Sequence, residues 1–241
     1  MGTQGRKAII SGAVAVMLGL ALWLFVNSRK SPAVSERQVA TRMLAEYLRK
    51  TFKPKFVLVI SNPFSELSGR SAQIYNFEKA GVAGLKDGFG LETPLKVVFP
   101  KLKPEVLADP SSVQVDPKST TPLSFFVTAQ AFDDLFLAHP QCDLAISLIG
   151  LPVNLPRMKA WNKAGLPRFA LLLPDWRMIG DPSVIENSFA SAKLAAAIVL
   201  KPVELNTAGV AHPNEAASKF LLVTRNNVSE LVKDLPRLFA P

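Results

Sequence analysis

The chain has 241 residues, of which 28 are Lys or Arg and 19 are Asp or Glu, so its formal net charge is +9 at pH 7. A single cysteine, Cys142, excludes a domain held together by internal disulfides. Together with two histidines at no zinc-ligand spacing, it also excludes a structural zinc site. The basic residues form no dense patch with interleaved aromatic residues, so nucleic acid is not expected as a partner.

The first element in the chain is an apolar run of 19 residues without a charge, Ala8–Val26, flanked by Arg6, Lys7, Arg29 and Lys30. A helix of this length rises about 28 Å, close to the ~30 Å hydrocarbon core of a bilayer. The run therefore predicts an uncleaved transmembrane signal anchor, with membrane lipid as its partner. The alternative is a signal peptide that is removed, although such peptides have a shorter apolar core and a better cleavage site than this chain offers.

The orientation and the partners of this anchor follow from its flanks and from one of its faces. Lys and Arg counts on the two sides favour a cytoplasmic domain, whereas a short basic tail before an apolar run is typical of export. We expect the second, a single-pass protein with a periplasmic or other extracytoplasmic domain. Ser11, Ala15 and Gly19 form a small-residue face that would pack against a partner membrane protein or a second copy, unless it only reflects the small residues common in such helices.

Beyond the tail and anchor at 1–30, apolar runs alternate with helical patterns, which predicts an amphipathic linker helix at 31–54 and an α/β domain at 55–241. The predicted strands are Phe56–Ile60, Leu95–Phe99, Asp143–Ile149, Phe169–Leu173, Leu194–Leu200 and Phe220–Thr224. The predicted helices are Ser35–Phe52, Ala72–Phe89, Phe125–Ala138, Arg157–Ala164, Ser183–Ala192 and Val228–Phe239. Two longer loops are predicted, Lys101–Leu123 and Asn206–Lys219, the second with some helix.

The predicted strands are apolar throughout instead of alternating with polar residues, which is typical of parallel strands covered on both faces. Alternation of strand and helix then gives a layered α/β arrangement with right-handed crossovers. The predicted fold class is therefore α/β. An N-terminal transmembrane helix is followed by one doubly wound, mostly parallel sheet of about six strands with helices on both faces.

Ligands of open α/β sheets bind beyond the carboxyl ends of the strands, where the strand order reverses. The residues predicted to bind a ligand there are Ser61, Asn62, Ser68, Arg70, Ser71, Asp175, Trp176 and Arg177. The segment 68–71 precedes a helix and would hold an anion on free N–H groups, unless it is an ordinary polar loop with a helix cap. The segment 175–177 would surround a small polar ligand, unless it is an ion pair with tryptophan covering the sheet.

Motifs of catalysis and of cofactor binding are missing from the sequence. It contains no GxSxG, GxxxxGK[ST] or GxGxxG, so neither a cofactor nor a metal is expected. Asp133 and Asp134 are a pair of carboxylates, but adjacent residues of a helix point about 100° apart, so we expect them to face solvent. An enzyme is therefore not favoured.

Four segments resemble a known family: FVLVISNPF, FEKAGVAGLKDGFG, DLAISLIGLP and IENSFASAKLAAAIVLKP. They are similar to the first strand, the helix after it, the middle strand and a late helix–strand unit of the type I periplasmic-binding-protein fold. The resemblance covers residues 55–203 and implies one lobe of that fold. The family binds small ligands between two lobes, and this chain has room for about one. No ligand residue of the family carries over to it.

These observations lead to one functional hypothesis and two alternatives. The hypothesis is a membrane-anchored, extracytoplasmic α/β domain that acts as a non-enzymatic binding or interaction module, with an accessory subunit of a membrane protein complex as one form of that role. The first alternative is a receptor for a small polar or anionic ligand at the carboxyl ends of the strands. The second is a hydrolase or transferase that uses the same residues.

Overall fold

The structure is a computed structural model that describes residues 31–69, 71–165, 167–202 and 215–239. Within these ranges the chain forms one sheet in the order β2-β1-β3-β4-β5-β6, with β1 to β5 parallel and β6 antiparallel to β5. The strands are β1 Val57–Ile60, β2 Leu95–Val98, β3 Leu144–Ser147, β4 Arg168–Leu172, β5 Leu194–Leu200 and β6 Phe220–Val223. The predicted mostly parallel sheet of six strands is confirmed.

Helices cover both faces of this sheet. They are α1 Pro32–Phe52, α2 Ala72–Phe89, α3 Pro104–Ala108, α4 Ala129–Ala138, α5 Lys159–Asn162, α6 Pro182–Ala190, α7 Glu215–Ser218 and α8 Val228–Asp234. Side chains of α1 and α2 pack on one face, where Leu44 and Leu85 are fully buried. Side chains of α4, α5, α6 and α8 pack on the other face, around Phe132 and Phe189. Alternate strand residues point to the two clusters, so the inner strands β1, β3 and β4 are buried on both sides, as their continuous apolar sequences indicate, whereas Lys96 of the edge strand β2 is exposed.

The helices α1 and α2 pack side by side unusually closely, because α2 presents glycines to α1. A Cβ atom on Gly88 would lie 2.6 Å from the Cβ of Ala45 and 2.7 Å from the backbone oxygen of Arg42, well inside normal contact. A Cβ on Gly81 would lie 2.9 Å from Nε of Arg37, and one on Gly84 would overlap the backbone of α1. These glycines lower the intrinsic helix propensity of α2, and the structure shows that they allow close contact with its neighbour.

Local chemistry explains where the elements differ from the predicted bounds. The helix predicted from Phe125 begins at Ala129, because the Thr128 hydroxyl accepts a hydrogen bond from the Ala131 N–H and caps the helix there. The last predicted helix ends at Asp234, two residues before Pro236, which cannot continue it. The predicted loop 101–123 contains α3, which the sequence interpretation missed.

No helix in the described ranges is long and apolar enough to cross a membrane. The run Ala8–Val26 lies outside those ranges, and so does its small-residue face, Ser11, Ala15 and Gly19.

Candidate functional site

The strand order places a crevice between two particular strands. In the sheet β1 lies between β2 and β3. The connection from β1 to β2 and the connection from β2 to β3 therefore run in opposite directions from the carboxyl edge, which is the edge of the sheet where β1 to β5 end. Such a reversal leaves room for a ligand beyond the strand ends. In this structure the residues at the reversal are those that follow Ile60 and Ser147.

A pocket of about 270 Å³ lies at this place and is called the carboxyl-edge pocket below. It is lined by Arg37, Asn62, Ile74, Phe77, Glu78, Thr120, Thr121, Pro122, Leu123, Leu148, Ile149, Leu172 and Leu173. Most of its wall is apolar, and the polar side chains Arg37, Asn62 and Glu78 are all at least nine-tenths buried. A few polar groups on an apolar wall are the usual composition of a small-molecule site.

The most unusual polar feature of the pocket is a buried ion pair between α1 and α2. Nη2 of Arg37 donates to Oε1 of Glu78 over 2.8 Å, and the Ser61 hydroxyl donates to Oε2 over 2.7 Å. The guanidinium also lies 4.2 Å from the centre of the Phe77 ring. Burial lowers the pKa of Arg37, while the charge of Glu78 and its hydrogen bond oppose that effect. Within the described ranges Nε of Arg37 is buried without a hydrogen-bond partner.

Asn62 occupies the next position along the chain from Ser61. Its Oδ1 accepts from the Phe64 N–H over 2.9 Å, which caps a short helical turn and fixes the side chain. Ser61 and Asn62 are therefore two predicted site residues that the structure places at the pocket, one supporting Glu78 and one lining the wall.

The segment 116–125, here called the covering segment, forms the opposite wall. The Ser124 hydroxyl donates to the backbone oxygen of Ile149 over 3.3 Å, which ties the segment to the end of β3. Gly150 allows this approach, since it has φ +80° and a Cβ there would lie 2.7 Å from Thr121. Leu173, at the end of β4, also lines the pocket and adopts φ +49°, a costly conformation for leucine. Strained backbone of this kind is concentrated at functional sites, which adds weight to this location.

The predicted residues 175–177 lie beside a second, smaller pocket of about 220 Å³, which shares only Thr120 with the first. Arg177 is held by Asp175 through Nε at 2.8 Å and Nη2 at 2.6 Å, and by Asp116 of the covering segment. Burial would raise the pKa of Asp175, but hydrogen bonds from Arg177 and Ser119 and the charge of Arg177 lower it below its usual range. One guanidinium is therefore shared by two carboxylates, and the three groups together carry one net negative charge.

Trp176 is 5% exposed, and its ring centre lies 5.2 Å from that of Phe239, in the core below this cluster. Its ring therefore packs against the protein. Of the other predicted residues, Ser71 accepts from the Gln73 N–H over 3.2 Å and caps α2, and Ser68 is exposed. Arg70 lies outside the described residues. The structure therefore brings together Ser61 and Asn62, and separately Asp175 to Arg177, instead of one site.

Sequence reasoning missed the two residues that define the pocket, Arg37 and Glu78. A usable signal was present: Arg37 stands four residues before Thr41 and seven before Leu44, on the buried face of its helix. Glu78 stands seven residues before Leu85, also on a buried face. Opposite charges on the apolar faces of two consecutive helices indicate a buried pair.

One predicted feature elsewhere is wrong. Asp133 does not face solvent but is 5% exposed, and its carboxylate accepts from the backbone N–H groups of Lys159 and Ala160, both at 2.9 Å. It caps the start of α5, a role that a carboxylate at a helix N-terminus performs well. Among the described residues there is no group of three His, Cys, Asp or Glu placed to hold a metal.

Comparison with known proteins finds similar structures but no family. No family model and no curated protein sequence matches the chain. Among solved structures, it is similar to a carbohydrate transporter protein from Acidothermus cellulolyticus in complex with myo-inositol, at 13% identity and a TM-score of 0.48, covering 84% of this chain and 62% of that one. It is also similar to a solute-binding protein from Mycobacterium smegmatis with bound glycerol, at 14% identity and a TM-score of 0.49, covering 82% and 62%.

A third similar structure is an arabinose-binding protein from Geobacillus stearothermophilus, at 13% identity and a TM-score of 0.44, covering 80% of this chain and 62% of that one. The weak resemblance to the type I periplasmic-binding-protein fold is confirmed. The chain spans less than two thirds of the length of these proteins. With TM-scores below 0.5, the likeness carries no argument about what this chain binds.

Proposed function

We propose that this protein is a ligand-binding module that holds a small polar molecule in the carboxyl-edge pocket. The observation that carries the proposal is the buried Arg37–Glu78 pair in the wall of a pocket where the strand order reverses. A buried ion pair is weak evidence for stability, because two charges lose their hydration when they are buried. Its position beside a pocket therefore supports a role in recognition as well as in folding.

The charges of the pocket indicate the kind of ligand. The positive charge of Arg37 is balanced by Glu78, so the pocket has no excess charge to attract an ion. Asn62 and Arg37 are polar lining residues with N–H groups in their side chains, while Ile74, Phe77 and Leu148 are apolar. These groups suit an uncharged molecule with hydrogen-bond acceptors on one side and an apolar face on the other. The volume is close to the lower end of the ~300–1,000 Å³ usual for such sites, which suits a small one.

A binding role is favoured over catalysis by the state of the one carboxylate in the pocket. Both oxygens of Glu78 already accept hydrogen bonds, one from Arg37 and one from Ser61. A general base must have an oxygen within hydrogen-bond reach of the substrate proton, so Glu78 is poorly placed to act as one.

The proposal includes attachment to a membrane. The run Ala8–Val26 has the length and composition of a transmembrane anchor, and the basic tail before it favours a domain outside the cytoplasm. The module would therefore display its pocket at the outer face of a membrane.

The test is a thermal-shift screen of the full-length protein against small polar molecules, followed by two matched variants. A ligand at 100 times its dissociation constant stabilises the folded state by about 2.7 kcal/mol, which raises the Tm of a domain of this size by about 5–10 °C. Ile74→Trp should fill the pocket and abolish the shift. Tyr75→Trp is the control, because Tyr75 has nearly the same exposure on the same helix but does not line the pocket.

Two outcomes would argue against the proposal. One is a screen in which no uncharged polar compound stabilises the protein. The other is a ligand that shifts the Tm of the Ile74→Trp and Tyr75→Trp variants equally, which would place its site elsewhere.

A further inference from the structure

The direction of α1 determines which side of the domain lies nearest the proposed anchor. Glu36, near the start of α1, pairs at 2.6 Å with Lys219, whose backbone oxygen accepts from the Lys201 N–H at the end of β5. Arg37 contacts Glu78 and lies beside the end of β3. The last residue of α1, Phe52, instead precedes the start of β1 by a short turn. The helix therefore begins at the carboxyl edge and ends at the amino edge, the opposite edge of the sheet.

The chain between the anchor and α1 is very short. The apolar run ends at Val26 and the first described residue is Ser31, so only residues 27–30 separate them. Even fully extended, this stretch reaches about 18 Å. The 21 residues of α1 span about 31 Å, so the amino edge lies much further from the anchor than the carboxyl edge does.

Exposed apolar side chains are concentrated at the same carboxyl edge. Within the described ranges nine large apolar residues are exposed, and seven of them end a strand or follow the carboxyl end of one. They are called the apolar edge set and are Leu67, Ile74, Tyr75, Leu107, Val153, Val184 and Leu200. The other two, Leu91 and Leu137, lie at the amino edge. Exposed apolar residues collected on one side of a domain mark a surface that contacts another phase or molecule.

From the tether length and this distribution, we infer that the apolar edge set rests on the lipid bilayer that holds the anchor, so that the carboxyl-edge pocket opens at the membrane surface. This inference depends on the membrane attachment in the proposed function. Some charged groups at this edge are paired with one another, as in Glu36–Lys219 and Arg177–Asp116. We expect the apolar side chains to drive the contact, so that neutral lipid is sufficient for it.

The test uses the full-length chain in phosphatidylcholine vesicles, with Cys142→Ala to remove the natural thiol. A fluorophore is attached at Leu107→Cys, on the apolar edge set, or at Leu137→Cys, at the amino edge; these residues are 61% and 76% exposed. Leu200→Cys and Leu91→Cys form a second pair. Lipids that carry a nitroxide in the headgroup should quench most of the emission at Leu107 and Leu200 and little at Leu137 and Leu91. The difference should persist in high salt.

The failures of this inference and of the proposed function are separable. Equal quenching of both labels in each pair, on protein that sediments with the vesicles, overturns the inference and leaves the anchor in place. So does protection of the Leu107 label from aqueous quencher without quenching by lipid, because a second copy would then cover the surface. Protein that does not sediment with vesicles overturns the membrane attachment and the inference together. Ligand binding in the pocket is scored separately, by thermal shift in detergent.

Discussion

The glycines of α2 allow a prediction in which helix propensity and packing have opposite signs. In an isolated helix, Gly88→Ala would be stabilising by about 0.5–1 kcal/mol, because alanine loses less backbone entropy than glycine. In this structure the added Cβ would lie 2.6 Å from the Cβ of Ala45 and 2.7 Å from the backbone oxygen of Arg42. Packing should therefore decide the sign, and we expect Gly88→Ala to be destabilising.

The magnitude follows from how far the helices must move. Ordinary contact of a Cβ atom begins near 3.4 Å, so α1 and α2 would have to separate by nearly 1 Å, and neither obstacle can rotate away. Overpacking of this kind costs about 1–3 kcal/mol. After the gain in helix propensity, the free energy of unfolding should fall by about 1–2 kcal/mol, which lowers the Tm by about 2–8 °C.

The assay is thermal and urea-induced unfolding of the full-length protein and three variants. Lys86→Ala is the control, since Lys86 is exposed on the same helix and should leave stability unchanged. Adding Ala45→Gly to Gly88→Ala removes one of the two obstacles and should recover part of the loss. A Gly88→Ala protein as stable as the wild type would refute the close packing of α1 against α2.

Three further predictions concern charged and reactive groups. Glu78→Gln leaves the buried Arg37 without its countercharge, so the free energy of unfolding measured in urea should fall by about 3 kcal/mol. Glu46→Gln is the control, because Glu46 belongs to an exposed ion pair and its loss should leave the urea midpoint unchanged. Burial raises the pKa of Cys142 to about 12. Because only the thiolate reacts, alkylation of Cys142 by iodoacetamide at pH 8 should be more than about a hundredfold slower in the folded protein than in urea. Equal rates would show an accessible thiol. The pKa of Asp175 is lowered in the folded protein, so this group adds stability above its unfolded-state pKa of about 3.9, and that stability is lost as the pH falls through the folded-state pKa. Urea midpoints measured from pH 6 to pH 2 should therefore fall more steeply for the wild type than for Asp175→Asn. Parallel curves would argue against the Arg177 contact.

Most of the element order could be predicted from the sequence, because it depends on local properties of the chain. Runs such as Leu194–Leu200 are apolar throughout, and a strand buried on both faces needs that composition wherever it lies in the sheet. The helix Ala72–Phe89 was predicted with its observed bounds, since the Ser71 cap and the apolar period are both local signals. Where bounds differ, a competing local signal was overlooked, as with the cap at Thr128.

The site depended much more on tertiary structure. Ser61 and Asn62 were predicted from their position after a strand, and the structure places both at the carboxyl-edge pocket. Arg37 was missed because it is 41 residues from Glu78 along the chain, and only the packing of α1 on α2 brings the two together. For Asp175 and Arg177 the sequence left open a ligand site or an ion pair, and the structure shows the ion pair.

The sequence by itself determined which segments are strands, which helix faces are buried and where an anchor is expected, because hydrophobic burial acts on each segment's own composition and period. Only the tertiary structure decided that β1 stands between β2 and β3, that glycines bring α1 against α2, and that a charged pair closes the wall of a pocket. Those outcomes depend on contacts between residues far apart in the chain, and such contacts leave only weak traces in the local pattern of a single sequence.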